Sequence, residues 1–124
     1  MNCACVYVDL NDETMEMIKK ETLIAKTQHI CHECKEIIKV NDQYCKEKGK
    51  IENEIRTFKT CLDCLSIRNV FFCNDWYYEM LWEFLIEHIK DSGCDISEDC
   101  LVDLTPIARN KVCEIIEKCW ANLN

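Results

Sequence analysis

Apolar positions at helical spacing mark the C-terminal part of the chain. Ala108, Val112, Ile115, Ile116, Cys119 and Leu123 recur on one face, and Thr105-Pro106 supplies an N-cap followed by proline at the first helical position. This predicts a helix from Pro106 to about Asn122. A second helix is predicted after Asn74-Asp75, through WYYEMLWEFLIEHIK, with a stop near Gly93. Its circumference is almost wholly apolar. The polar remainder is one narrow line, Glu79, Glu83, Glu87 and Asp91, each four residues from the next. A helix apolar nearly all round is either central in a core or shared between a core and a partner. Trp76, Glu79, Trp82, Glu83 and Glu87 are therefore the candidate partner surface, with a basic protein or a second copy of the chain as the occupant. The competing reading of the acidic line is a solvated face.

The middle of the chain has a different period. Gln43 to Ile51 alternates, with Lys46, Lys48 and Lys50 on one side and Cys45, Glu47 and Ile51 on the other. Glu52-Asn53-Glu54 reads as a turn and Ile55 to Thr60 as the return strand, followed by a helical texture in CLDCLSIRNVFF. Between the last two helices, CDISEDCLVDL reads as a connector with one helical turn. Residues 1 to 30 show no clean period. Val6 to Leu10, Thr14 to Ile18 and Thr22 to Lys26 have strand character, and Met and Glu in them suit a helix equally well.

Composition narrows the class. The chain has 124 residues, 48% of them hydrophobic, with two glycines and one proline. This is the composition of a folded domain, not of a disordered or fibrous chain. No apolar run is long enough to span a bilayer, and MNCACVYVDLNDE has neither the basic nor the apolar region of an export signal. The formal charge is -8, unevenly spread: residues 35 to 59 carry seven Lys or Arg against five Asp or Glu, and residues 75 to 124 carry four against eleven. An acidic protein is repelled by nucleic acid at long range and attracted to basic surfaces.

Twelve cysteines are the strongest chemical signal. Without an export signal, a reduced cytoplasmic setting and metal binding are expected in preference to a disulfide scaffold. Cys31-x-x-Cys34 and Cys61-x-x-Cys64 have ligand spacing. Two intervening residues let a tight turn aim both sulfurs at one ion, and four thiolates suit the softness and tetrahedral preference of zinc. The order is knuckle, hairpin, then a Cys-x-x-Cys opening a helix whose N-terminus favours thiolates. That order predicts a treble-clef-like zinc finger holding one structural Zn2+ ion. His32, inside the knuckle, competes as a ligand. A second ion is a further possibility: Cys3, Cys5 and Cys73 are its candidate ligands, with Cys94, Cys100 or His88 to complete the set. The alternative is a flexible N-terminus with free thiols.

The stretch HICHECKEIIKVNDQYC…FKTCLDCLSIRNVFFCNDWYYEMLWEFLIEHI resembles a group of small, mostly uncharacterised proteins encoded by phages and prophages. The likeness lies in the two zinc pairs, the Y…F-KTC-x-x-C hairpin and the W/Y…W-E-x-x-x-x-H helix. EDCLVDLTPIARNKVCEIIE resembles the same group, so the likeness covers about residues 29 to 117. It carries no shared activity; it implies an origin in a mobile element and action inside a bacterial cell.

Catalytic constellations are not apparent in the sequence. There is no Gly-rich phosphate loop, and His29, His32 and His88 have no nucleophile motif around them. The expectation is a single α+β domain: an arm at 1–30, a zinc module at 31–73 and a part at 74–124 with two amphipathic helices packed on the module. The leading functional expectation is a non-enzymatic protein-binding module, an effector that binds a host protein and blocks a defence complex such as a CRISPR effector. The alternative is nucleic-acid binding through Lys46, Lys48, Lys50, Arg56 and Lys59, a patch diluted in sequence by Glu47, Glu52 and Glu54.

Overall fold

The computed structural model describes residue 6, residues 15–72 and residues 76–122. Their order is β1 (Glu16–Ile24), β2 (His29–Ile30), β3 (Ile37–Ile38), β4 (Gln43–Ile51), β5 (Glu54–Cys61), α1 (Leu62–Phe71), α2 (Leu81–Asp91), α3 (Glu98–Val102) and α4 (Pro106–Ala121). The architecture is α+β. One antiparallel sheet has the order β1-β4-β5, and β2 and β3 form a separate two-stranded ribbon. None of the helices is long and apolar enough to cross a membrane, among the described residues.

The hairpin forms where the alternation predicts it. Glu52 and Asn53 both have positive φ, 49° and 66°, which is the two-residue turn whose twist matches the flanking strands. Glu54 therefore belongs to the return strand, where it faces Ile51. Within the N-terminal region, β1 pairs along the whole of β4, from Glu16 opposite Lys50 to Ile24 opposite Gln43. Its strand is 16–24, so the two segments with ambiguous character are one element, interrupted by an irregularity between Met17 and Lys19. Val6 donates its N–H to the Phe71 carbonyl at 2.8 Å; the rest of the predicted strand at 7–10 lies outside the described residues.

The inner face of the sheet carries Cys45, Glu47, Phe58 and Thr60, all buried. Helix α1 lies against β4 and β5, and α4 packs against both α1 and α2. Glu47 and Arg68 form a buried two-point ion pair, with Nη1 donating to Oε1 at 2.7 Å and Nη2 to Oε2 at 3.1 Å. The pair ties the central strand to α1. The Trp76 ring lies over the guanidinium at 4.4 Å, and Tyr78 stacks on Phe58 at 3.8 Å.

These ring contacts change the expected second helix. It begins at Leu81, not after Asp75, because residues 76–78 leave the helical path to cover the ion pair and the sheet. Leu81, Leu85 and Ile89 are buried, and Tyr77 stacks on Phe84. The apolar excess of this segment is thus spent largely within the domain. Helix α4 matches expectation: Thr105 caps it, accepting from Ala108 N, with Pro106 at its start. The connector contains the expected short helix, α3.

Two of the cysteines named to complete a second metal set are engaged otherwise. Cys94 is bonded to Cys119, joining the loop after α2 to the last turn of α4 across a sequence separation of 25. Cys100 is disulfide-bonded as well. Cys94 and Cys119 meet because α2 and α4 lie side by side, a proximity that sequence spacing does not reveal.

Arg68→Met leaves Glu47 charged, buried and alone, and is expected to cost about 3–5 kcal/mol. Urea unfolding of the metal-loaded protein measures this. The double change Glu47→Leu with Arg68→Leu is expected to recover most of the loss.

Candidate metal centre

Cys31 and Cys34 flank the turn between β2 and β3, Cys61 ends β5, and Cys64 lies in the first turn of α1. Two distant sequence pairs meet because β5 runs beside the knuckle. His32 N donates to Lys59 O at 2.9 Å, and Lys59 N donates to His32 Nδ1 at 2.9 Å. His32 is therefore not a ligand candidate: its ring seats the knuckle on β5, edge-on to Phe58 at 5.7 Å. Within the knuckle, Lys35 N donates to Cys31 O at 3.0 Å and Lys35 takes φ 64° to close the turn.

All four sulfurs lie within 4.8 Å of one another. Cys34 and Cys61 sulfurs are 3.8 Å apart. A tetrahedron of metal–sulfur bonds of about 2.3 Å has edges of about 3.8 Å, so the cluster has the dimensions of a four-thiolate site. Cys31 and Cys64 are fully buried and Cys34 and Cys61 are half-buried. The four residues are positioned to hold a metal ion.

The surroundings suit thiolates. Cys61 N donates to Cys31 Sγ, Cys64 N to Cys61 Sγ and Trp82 Nε1 to Cys64 Sγ, each at 3.4 Å. Hydrogen bonds from Cys34, then Cys61 and Cys64, hold the Cys31 thiol well below its ordinary range. Cys61 and Cys64 are pushed up, chiefly by their contact with Cys31. Cys34 is lowered as well, to about 7, so two thiols of the cluster are held low and two high, and a divalent cation is what completes the ionisation.

Three residues that no ligand spacing marks have roles here. Lys111, on α4, donates to Glu36 Oε2 at 2.9 Å and lies 5.6 Å from the centre of the Trp82 ring. Burial would lower its pKa, but the bond to Glu36 and the charges of Cys34 and Cys64 hold it above the ordinary value. Trp82 faces the sulfur cluster and the core. Glu33, between the first two ligands, accepts from Glu79 N at 2.9 Å and Leu81 N at 3.1 Å. It caps α2, whose own Met80 offers no side-chain cap.

Of the remaining candidates, Cys3, Cys5 and Cys73 lie outside the described residues. Cys94 is committed to Cys119, Cys100 is disulfide-bonded and buried, and His88 is half-buried on α2. Among the described residues, the group of Cys31, Cys34, Cys61 and Cys64 is the one assembled for a metal ion. Of the candidate partner surface, Trp76 and Trp82 are half-buried and engaged, whereas Glu79, Glu83 and Glu87 are exposed. No family model, curated protein or solved structure matches this chain.

Elemental analysis is expected to find divalent metal bound at this cluster, with the Cys34→Ser protein losing it and failing to fold cooperatively. Trp82→Phe keeps the ring and removes the N–H. It is expected to fold but to release metal to a competing chelator about 10-fold more readily, as loss of a supporting contact to a ligand does.

Proposed function

We propose that the chain is a small zinc-stabilised protein-binding module of treble-clef type, in which the ion is structural. Zinc suits a donor set of four thiolates. Two-stranded knuckle, hairpin and helix follow one another in the treble-clef order, with the second ligand pair at the helix start. Four protein ligands leave no position for a reacting water, so the site has no catalytic role.

The observation that carries the binding reading is a groove of about 280 Å3 beside the half-buried ligands Cys34 and Cys61. Glu36, Asp42 and Asp63 contribute carboxylates to its lining and, among the described residues, no lining residue is basic. Ile37 and Ile107, also in the lining, are 53% and 56% exposed. Four thiolates around a divalent ion add a net negative charge to the same wall. An apolar floor within a negative field fits a partner that presents a basic side chain flanked by apolar ones. The exposed acidic line on α2, with Glu83 and Glu87, extends the same preference.

The likeness to phage and prophage proteins supports action in the bacterial cytoplasm, on a host protein or a complex such as a CRISPR defence effector. Immobilised protein is expected to retain a specific host protein, identified by mass spectrometry. Retention is expected to fall at least 10-fold with Asp42→Lys combined with Ile107→Ser, since a reversed charge and a lost apolar contact each cost about 1 kcal/mol or more. Loss of retention with Glu83→Lys alone moves the contact to α2. Retention unchanged by either variant refutes a docking surface on this side of the molecule.

A further inference from the structure

The sheet sorts its charges by face. Lys46, Lys48 and Lys50 project from the outer face of the central strand, and the register sets Lys59 of β5 opposite Lys46 and Lys19 of β1 opposite Lys48. Like charges directly opposite one another weaken a sheet. This chain holds 23 acidic residues against 15 basic ones, yet two such lysine pairs meet here. Of the carboxylates that dilute the run in sequence, Glu47 is buried on the inner face and neutralised by Arg68, Glu54 lies opposite Ile51 on the same side of the strands as Glu47, and Glu52 is in the turn. Arg56 leaves the patch too, since it pairs with Gly49 on the inner side. Five lysines remain, against Glu16 and Glu21 on the edge strand and Glu52 in the hairpin turn. Among the described residues, the one carboxylate contact they make, Lys19 to Glu21 at 3.6 Å, is exposed and weak.

We propose that this lysine face binds the phosphate backbone of single-stranded nucleic acid. Alternate residues on β4 stand about 6.8 Å apart, so the three central ammonium groups form a straight row with one more on each side. Ile55 is the one large apolar side chain in register on this face that is strongly exposed, among the described residues. A protein partner would look for an apolar centre, whereas nucleic-acid interfaces are polar and cationic. Tyr44, the aromatic residue on this face of β4, is buried against the His29 ring at 5.1 Å. With no exposed ring on this face among the described residues, contacts go to phosphates and are independent of sequence. The acidic helices lie behind the sheet, and salt screens their field over about 10 Å at 0.1 M.

The test is fluorescence anisotropy of a labelled oligodeoxythymidylate about twenty nucleotides long, with the metal-loaded full chain. Three to five phosphate contacts give a slope of about -2 to -3.5 in log affinity against log salt. Lys46→Glu with Lys48→Glu is expected to weaken binding at least tenfold. Lys90→Glu, an exposed change on α2, leaves it unchanged, as do the variants of the acidic groove. Retained metal content and helical circular dichroism confirm folding of each variant. If the double variant does not fold, Lys48→Gln alone is expected to reduce the slope by about 0.7. Binding with no salt dependence, or unaltered by the lysine changes, overturns the proposal. So does a polyglutamate of equal charge that competes as well as the oligonucleotide, because the face then accepts an acidic protein segment instead.

Discussion

Four sulfurs held within a few ångströms of one another are the constraint on which this fold turns. Thiolates repel and thiols pair only weakly, so such a cluster is stable when a cation occupies it. The elements around it are short. The β2–β3 ribbon has two residues per strand and α3 has five residues, too few for independent stability. The cluster joins that ribbon to the end of β5 and the start of α1, and α1 in turn carries Arg68 to the sheet. Coordination of one ion by these four residues would anchor ribbon, hairpin and helix together. The buried ion pair and the core of Ile67, Phe71, Leu85 and Val112 complete the packing.

Charge follows the same architecture. Period-two alternation on β4 sends its lysines outward and Glu47 inward, so that one strand serves a cationic outer face and a buried anion. Helical periodicity on α2 sends Glu83 and Glu87 to solvent while Leu81, Leu85 and Ile89 fill the core. A net charge of -8 therefore conceals two surfaces of opposite sign, separated by the thickness of the sheet and its helices.

What could be read in the sequence was local. The ligand pairs, the β4 alternation and the Thr105-Pro106 start of α4 each depend on residues a few positions apart, and each appears in the structure as expected. Long-range events were not legible. The start of α2 shifts to Leu81 because Trp76 and Tyr78 find Arg68 and Phe58, residues far away in sequence. Trp82, expected on a partner surface, also donates to the Cys64 sulfur, a contact that no spacing encodes. The Cys94–Cys119 bond follows from helix packing that no spacing rule encodes. Lys111 and Glu33 carry ordinary surface identities; only their placement beside Glu36 and before α2 gives them roles.

Glu33 has a consequence for the life of the molecule. It lies between two ligands, and its carboxylate supplies the hydrogen-bond acceptors at the N-terminus of α2. Loss of an ion from this cluster would free the knuckle and withdraw those acceptors together, so that the first turn of α2 would fray as the four cysteines part. A frayed, aromatic-rich turn is the sort of segment that proteases cleave, and cleavage tracks the population of the opened form. The persistence of the chain would then follow the supply of metal in its surroundings.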